Sequence, residues 1–373
     1  MNLHNANVLL MTKYYYEKKL SEKISIEANI PFLPFVRHKL QGTSDDNTYK
    51  KFREKEFKYL EEDPIIDLTD QLDASDFILL PIDYSFIVKL PTKSFLNHYI
   101  KASEDTGKPI IISYFGDSTE DVKINRSIIL RHSKYRNELK KNEIICPPLI
   151  SNLTSEKKFK FIKNPKHISI GFVGHALKEN NPVLRFGKRD YVYNFLGLFN
   201  DKYSVKQSGL FFRQKSIDSL LADDEIICDF KLRDFWGRGR PMWSKGISLE
   251  VRNDFLNNID ANLFNLAVKG AGNYSFRFFE ILSAGRIPLL IDTLCALPAS
   301  NIINYADFCV IVDFKDIKNT SSILKSWFYS KTPEQILNAQ IQAKQVYKDF
   351  IDFRPFMSHI FKNEISRLAS ELY

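Results

Sequence analysis

Short apolar runs alternate with polar, helix-compatible stretches along most of the 373 residues. The runs lack strict alternation of polar and apolar positions, which indicates strands buried on both faces of a parallel sheet. In the first part of the chain, this pattern predicts strands at residues 5–11, 77–81 and 109–113, a polar loop at 42–48 and a charged helix at 50–62.

A second series of elements follows Pro147, Pro148 and the polar residues 151–160, which we interpret as a linker. After it, the pattern predicts strands at 167–174, 263–268, 287–291 and 309–312, a strand-like run at 209–212, and helices at 188–199 and 332–350. Repeated β-α units predict an α/β fold with two domains, residues 1–155 and 156–373, and a ligand cleft between them.

Composition excludes several classes of protein. Hydrophobic residues make up 44% and charged residues 26% of the chain, which excludes a mainly disordered protein. No apolar run reaches the roughly 18 residues of a spanning helix, and the first residues lack the pattern of a signal peptide. The four cysteines are far apart and predict neither a zinc site nor a disulfide framework. We therefore expect a cytoplasmic protein.

The net charge of +8 is unevenly placed. Residues 1–150 hold 22 basic and 22 acidic side chains, whereas residues 151–373 hold 31 basic and 23 acidic ones. The run at 231–240 mixes four cations with two aromatic rings, a combination used in nucleic-acid binding that also fits a solvated loop. The surplus of positive charge therefore belongs to the second predicted domain.

Most of the candidate chemistry lies in residues 262–293, which read as strand, glycine-rich turn, helix and strand. Gly270 and Gly272 are expected to adopt positive φ and to let a ligand approach the backbone. Ser275 is placed to cap the helix, whose free N–H groups form an anion site. Gly285 suits the position that terminates the helix.

The polar residues of this segment fit a nucleotide diphosphate sugar. Lys269 and Arg277 would neutralise the diphosphate, and Glu280 would accept hydrogen bonds from a ribose diol. Arg277 and Glu280 are three residues apart and share a helix face. The same residues also fit a packing turn with a surface ion pair, and the G-x-G-x-x-G dinucleotide pattern is absent, so spacing alone leaves both interpretations open.

A resemblance to a known family rests on this segment. The series Lys269-Gly270, Ser275-x-Arg277-Phe278-x-Glu280, Gly285-x-Ile287-Pro288 and Leu297-Pro298 resembles the signature of the exostosin family of glycosyltransferases. Residues 74–81, 116–118 and 130–136 are loosely similar to first-domain segments of that family. The resemblance implies a GT-B fold, in which two Rossmann-like domains face a central cleft, and an inverting transfer from a nucleotide sugar, usually UDP-linked.

Carried over by position, Ser275, Arg277 and Glu280 would bind the donor. The chain departs from the eukaryotic members at Lys269, where they have an arginine, and lysine lacks the bidentate fork of arginine. Those members also have a membrane anchor and disulfides, so a bacterial cytosolic enzyme is the nearer match.

Further candidates flank the expected cleft. Gly174 and His175 close the strand that opens the second domain, where His175 would contact the donor or serve the structure. Arg213 and Lys215 would reach the diphosphate or lie at a solvated helix start. The catalytic base is expected from the first domain, and Asp83 and Asp117 each follow a predicted strand, a position that also suits a helix cap or turn. His132 is a further candidate.

Together these features predict an inverting, metal-independent glycosyltransferase that needs no cofactor and binds no nucleic acid. It would transfer a sugar from a UDP-sugar donor to a glycan or lipid-linked glycan acceptor in cell-surface polysaccharide synthesis, with peripheral contact at the inner membrane face. Metal independence is expected because the chain has no Asp-x-Asp, which leaves cations and helix N-termini to stabilise the leaving group.

Two alternatives stay open. One is a retaining GT-B transferase, which usually has a second Glu eight residues after the first, where this chain has Pro288. The other is a non-enzymatic basic protein that binds nucleic acid.

Overall fold

The computed structural model describes residues 12–28, 30, 32–33, 35–36, 65–91, 93–150, 152–176, 188–233 and 249–373. The predicted strand at 5–11, loop at 42–48 and helix at 50–62 lie outside these residues. Two sheets, each with parallel strand pairs, organise the described chain. Within the described ranges, no helix has both the length and the apolar character needed to cross a bilayer.

The first sheet has six strands in the order β2-β1-β3-β4-β5-β6. Their bounds are β1 Lys13–Tyr15, β2 Asp67–Thr69, β3 Phe77–Leu79, β4 Ile110–Tyr114, β5 Ser127–Arg131 and β6 Glu143–Ile145. Every residue of β4 and β5 is buried, the pattern of strands covered on both faces. Its helices are α1 Lys18–Ala28, α2 Tyr84–Ile87 and α3 Ser94–Thr106.

The second sheet has five strands in the order β11-β10-β9-β7-β8. Their bounds are β7 Ile168–His175, β8 Ile226–Arg233, β9 Phe264–Ala267, β10 Ile287–Asp292 and β11 Val310–Asp313. The helices between these strands are α4 Lys188–Gly197, α5 Asp201–Ser204, α6 Gly209–Leu221, α7 Leu249–Ala261 and α8 Phe276–Ser283. Both domains are Rossmann-like, which confirms the predicted α/β class and GT-B plan.

Four further helices close the chain: α9 Thr320–Tyr329, α10 Pro333–Val346, α11 Phe353–His359 and α12 Ile365–Leu372. Thr332 and Gln335 form a capping box at the start of α10, where the sequence predicted a helix. The buried side chains of α11 and α12 join the core of the first domain, and the Tyr14 hydroxyl donates to the Phe361 carbonyl at 2.6 Å. The chain therefore crosses back to the first domain, although the predicted boundary groups all of residues 156–373 with the second.

The structure also tests the individual elements. It confirms the strands predicted at 77–81, 109–113, 167–174, 263–268, 287–291 and 309–312, and the helix predicted at 188–199. The strand predicted at 209–212 is wrong, because this run is the first turn of α6. Ser208 begins that helix, since its Oγ accepts the Phe211 N–H at 3.2 Å. Strands β1, β2, β5, β6 and β8 were not predicted.

Candidate functional site

The strand order of the second sheet reverses at β7. The chain leaves β7 toward β8 on one side, while β9 pairs with β7 on the other. Where the order reverses in such a sheet, the connections separate and leave room for a ligand. Gly174 and His175, the last two residues of β7, lie at this point.

Two arginines from different helices converge there. Arg213 of α6 donates from Nη1 to the His175 carbonyl at 2.6 Å, and Arg277 of α8 donates to the Val173 carbonyl. The Arg277 guanidinium lies 4.2 Å from the centroid of the Phe172 ring, and that of Arg213 lies 5.5 Å from it. Both guanidiniums therefore contact the same ring, that of Phe172, and backbone carbonyls at the end of β7.

Gly174 permits this approach. A Cβ atom at this position would lie 3.1 Å from Nη2 of Arg277 and 3.1 Å from the Phe172 ring. A side chain there would need the guanidinium or the ring to shift by a few tenths of an ångström, so Gly174 gives Arg277 the room for this position.

Burial disfavours the charged form of both arginines. Burial, together with the nearby charges of Arg213 and Arg233, lowers the pKa of Arg277 to about 9. Burial also lowers the pKa of Arg213 to about 10. Within the described part of the chain, the buried Nε of Arg213 has no hydrogen-bond acceptor. Two neighbouring cations with an unused N–H donor favour the binding of an anion.

Glu280 lies one turn beyond Arg277 on α8. Burial raises the pKa of its carboxyl group, against the lowering effect of Arg252 and Arg277. Its Oε1 is 3.5 Å from Nη1 of Arg252 on α7. The site thus combines two cations with one acceptor carboxylate.

The glycine-rich turn is built differently from the sequence prediction. Among the described glycines, only Gly107 and Gly285 have positive φ, so the expected positive φ at Gly270 and Gly272 is wrong. A Cβ on Gly270 would meet nothing closer than 3.9 Å, whereas one on Gly272 would lie 2.9 Å from the Cα of Asp117. Gly272 therefore allows close approach of the other domain.

The residues before and after this turn were predicted to cap the helix, to end it and to bind the diphosphate. Ser275 does begin α8, but its side chain makes no capping hydrogen bond, and Gly285 ends the helix at φ 66° as predicted. The Lys269 Nζ donates to the Val205 carbonyl at 2.7 Å and lies over the Phe212 ring. Lys269 thus points toward α6. Lys215, two residues after Arg213 on α6, lies on a different face of that helix.

The two acidic candidates of the first domain have different surroundings. The Asp83 carboxylate accepts from the Ser85 N–H at 2.9 Å, the Ser85 hydroxyl at 2.5 Å and the Phe115 N–H at 2.7 Å. It is the cap of α2, the structural role that the sequence left open. Asp117 is exposed and accepts the Gly272 N–H at 3.1 Å on Oδ1. Of these two candidates, Asp117 is the one with an open carboxylate beside the second domain.

His132 has a packing role. Its ring stacks on Phe115 with centroids 4.4 Å apart, and its Nδ1 lies 3.0 Å from the Cys146 carbonyl.

Contacts between the domains lie next to the site. The Asn273 N–H donates to Ser133 Oγ at 2.8 Å, and Arg136 forms an ion pair with Asp292 at 2.6 Å. Sequence reasoning missed these residues and Arg252. No local spacing would have identified them, because each partner comes from a distant part of the chain.

The run at 231–240 is described only as far as Arg233. Lys231 and Arg233 lie 2.8 Å and 3.8 Å from the Asp254 carboxylate, so a carboxylate of α7 already faces both cations. Among the described residues, no group of three or more His, Cys, Asp or Glu side chains could hold a metal ion.

Comparisons with protein-family models and with curated proteins find no match. Among solved structures, the chain is similar to TarM, with 8% identity, a TM-score of 0.35 and coverage of 71% of this chain and 51% of that one. It is also similar to a glycosyltransferase from Rickettsia africae ESF-5, with 8% identity, a TM-score of 0.36 and coverage of 89% and 83%. A third similarity is to HepE of Anabaena in complex with UDP, with 10% identity, a TM-score of 0.36 and coverage of 97% and 99%. The chain thus spans about half the length of TarM.

Proposed function

We propose that this chain is an inverting, metal-independent glycosyltransferase of the exostosin type that uses a UDP-sugar donor. The observation that carries the proposal is the pair of half-buried guanidiniums of Arg213 and Arg277 at the carboxyl end of β7. Burial lowers the pKa of both groups, and the Arg213 charge lowers that of Arg277 further. A diphosphate supplies the negative charge that this pair lacks. Glu280 adds the acceptor that a ribose diol requires, and Arg277 and Glu280 both belong to the exostosin-like motif.

The proposed reaction joins the two domains across the cleft. The acceptor hydroxyl oxygen attacks the anomeric carbon while its proton passes to the Asp117 carboxylate. The bond from that carbon to the diphosphate oxygen breaks, and the electron pair leaves with UDP. Arg213 and Arg277 stabilise the charge that develops on the leaving group, so that no metal or cofactor is needed. Attack opposite the leaving group inverts the anomeric centre.

The acceptor is proposed to be a glycan, free or linked to a lipid, with peripheral contact at the inner face of the membrane. Three apolar side chains follow the i, i+3, i+7 spacing of one helix face along α4 and the turn after it. Their exposed fractions are 51% for Val192, 57% for Phe195 and 77% for Phe199. An apolar stripe of this kind supports contact with a lipid surface.

A panel of nucleotides and nucleotide sugars, measured by thermal unfolding, tests the donor. UDP-sugars should raise the melting temperature most, since a ligand at about 100 times its Kd stabilises the native state by about 2.7 kcal/mol. The stabilisation should persist in EDTA, and transfer activity should as well. Loss of both in EDTA would contradict metal independence. Salt-dependent binding to any duplex, without stabilisation by nucleotide sugars, would favour the nucleic-acid alternative instead.

Replacing Asp117 with asparagine tests the base. We expect kcat to fall by about 10²–10⁴ while UDP affinity stays unchanged, because the amide oxygen can still accept the Gly272 N–H. The control is Asp83→Asn, which should lower the melting temperature because the amide nitrogen cannot accept the N–H that the carboxylate accepts. An unchanged kcat in Asp117→Asn would place the base elsewhere.

A further inference from the structure

Arg252 of α7 bridges two carboxylates that belong to distant parts of the chain. Its Nε lies 2.9 Å from Oε2 of Glu156 and its Nη2 lies 2.5 Å from Oε1, which is a bidentate pair. The remaining terminal nitrogen, Nη1, is 3.5 Å from Oε1 of Glu280. One edge of the guanidinium therefore contacts the Glu156 carboxylate, and Nη1 faces Glu280, the candidate acceptor for the ribose.

Glu156 belongs to the segment that joins the two sheets. That segment is attached to the second domain at several points, since the Leu153 N–H donates to Ser283 Oγ at 3.2 Å and the Lys157 Nζ lies 2.9 Å from Asp260. Ser283 lies on α8, the helix that also carries Glu280. The attachment places Glu156 where its carboxylate can orient Arg252.

We propose that Arg252 is a positioning residue that keeps Glu280 ionised and oriented as the acceptor for the donor's ribose, and that Glu156 fixes the direction of Arg252. The inference rests on the proposed function of the site. The bidentate pair leaves the guanidinium little rotational freedom, so its third nitrogen meets Glu280 from a fixed direction.

The charges around Glu280 determine the expected pH dependence. Arg252 from α7 and Arg277 from its own helix favour the carboxylate, whereas burial and the Glu156 charge oppose it. The pKa of Glu280 is already raised, so loss of the Arg252 charge raises it further and reduces the ionised fraction near neutral pH. Only the ionised form accepts hydrogen bonds on both oxygens without presenting a proton.

Calorimetric titration of UDP between pH 5.5 and 8.5 tests this. In Arg252→Gln, we expect UDP affinity to fall at least about 10-fold near pH 6 and to recover as the pH rises. Arg252→Lys keeps the charge and should keep the wild-type pH profile with a weaker affinity at every pH. Glu156→Gln removes a like charge, so its profile should move toward lower pH, opposite to that of Arg252→Gln. It also removes the bidentate pair that fixes Arg252, so UDP affinity should be weaker at every pH.

The control is Lys325→Gln, which removes ion pairs with Asp223 and Glu225 elsewhere in the second domain and should leave the UDP profile unchanged. Melting temperatures identify any variant that is merely unfolded. If wild-type protein binds UDP and Arg252→Gln loses the same factor at every pH, Arg252 serves only the fold and the inference is wrong. If wild-type protein does not bind UDP, the proposed function fails and the inference fails with it.

Discussion

Replacing Arg277 with methionine should weaken UDP binding by more than about 30-fold without lowering the melting temperature. Truncating one partner of a buried charge pair costs about 2–5 kcal/mol of binding free energy, and 2 kcal/mol corresponds to about 30-fold in Kd. In the unliganded protein Arg277 is half-buried, and its desolvation together with the nearby charge of Arg213 lowers its pKa to about 9. The unliganded fold therefore loses a cation that burial disfavours, which offsets the hydrogen bond lost at the Val173 carbonyl. Methionine keeps the packing on Phe172.

The pH dependence follows from the direction of that shift. The folded-state pKa of about 9 lies below the usual value of 12.5, so the folded protein holds this proton less tightly than the unfolded chain. Protonated Arg277 therefore destabilises the unliganded fold fully below about pH 9, and the effect declines as the pH rises toward 12.5. Any gain in stability from Arg277→Met should accordingly be largest below pH 9.

Arg286 is the matched control, because it is a fully buried arginine just beyond the opposite end of α8. Its Nη2 donates to the Asp260 carbonyl at 2.7 Å and to Oδ1 at 2.9 Å, and its Nε donates to the Ile259 carbonyl at 3.2 Å. Arg286→Met leaves these acceptors unpaired and should lower the melting temperature with little effect on UDP affinity in the folded protein. Thermal unfolding and calorimetry together separate the two variants. A lower melting temperature and an unchanged Kd in Arg277→Met would assign that residue to the fold alone.

Replacing Gly209 with alanine should destabilise the protein and also disturb the site. A Cβ at this position would lie 2.0 Å from the Lys269 carbonyl oxygen and 2.7 Å from that of Gly270. Both contacts are backbone atoms, so the start of α6 must move. Overpacking of this kind costs about 1–3 kcal/mol, and a domain of 150–250 residues loses about 2–4 °C per kcal/mol. Arg213 lies one turn further along α6 and should move with it, weakening UDP binding.

Gly270→Ala is the control in the facing segment. Its Cβ would meet nothing closer than 3.9 Å and φ there is not positive, so the melting temperature should stay within about 1 °C of wild type. An unchanged melting temperature in both variants would show that the clash at Gly209 relaxes without cost, and would contradict the contact between the start of α6 and the turn after β9.

Arg277 acts through its charge, whereas Gly209 acts through a backbone contact. Arg277 tests whether uncompensated charge at the end of β7 serves a ligand, since function and stability should separate. Gly209 tests whether backbone contact places the second arginine, since function and stability should change together.

The chain's local pattern was sufficient for elements whose residues are buried on both faces. The runs at 109–113 and 287–291 are nearly all apolar, and both form central strands because only a position inside a sheet buries such runs completely. The end of α8 was also readable, because Gly285 supplies the positive φ that terminates a helix. The run at 209–212 was misread, because four apolar residues fit a strand or a buried helix turn equally well.

The sequence by itself determined the α/β class and the location of the most informative helix, since both depend on local burial and backbone conformation. It also placed Arg277 and Glu280 on one face of that helix. Only the tertiary structure decided the partners: Arg277 meets a carbonyl 104 residues away, and Gly272 meets Asp117 across 155 residues. Such contacts depend on how whole elements pack, and no local spacing specifies that packing. For the same reason, the folded chain rather than its sequence identified Arg252 and distinguished Asp83, a helix cap, from Asp117, an open carboxylate beside the cleft.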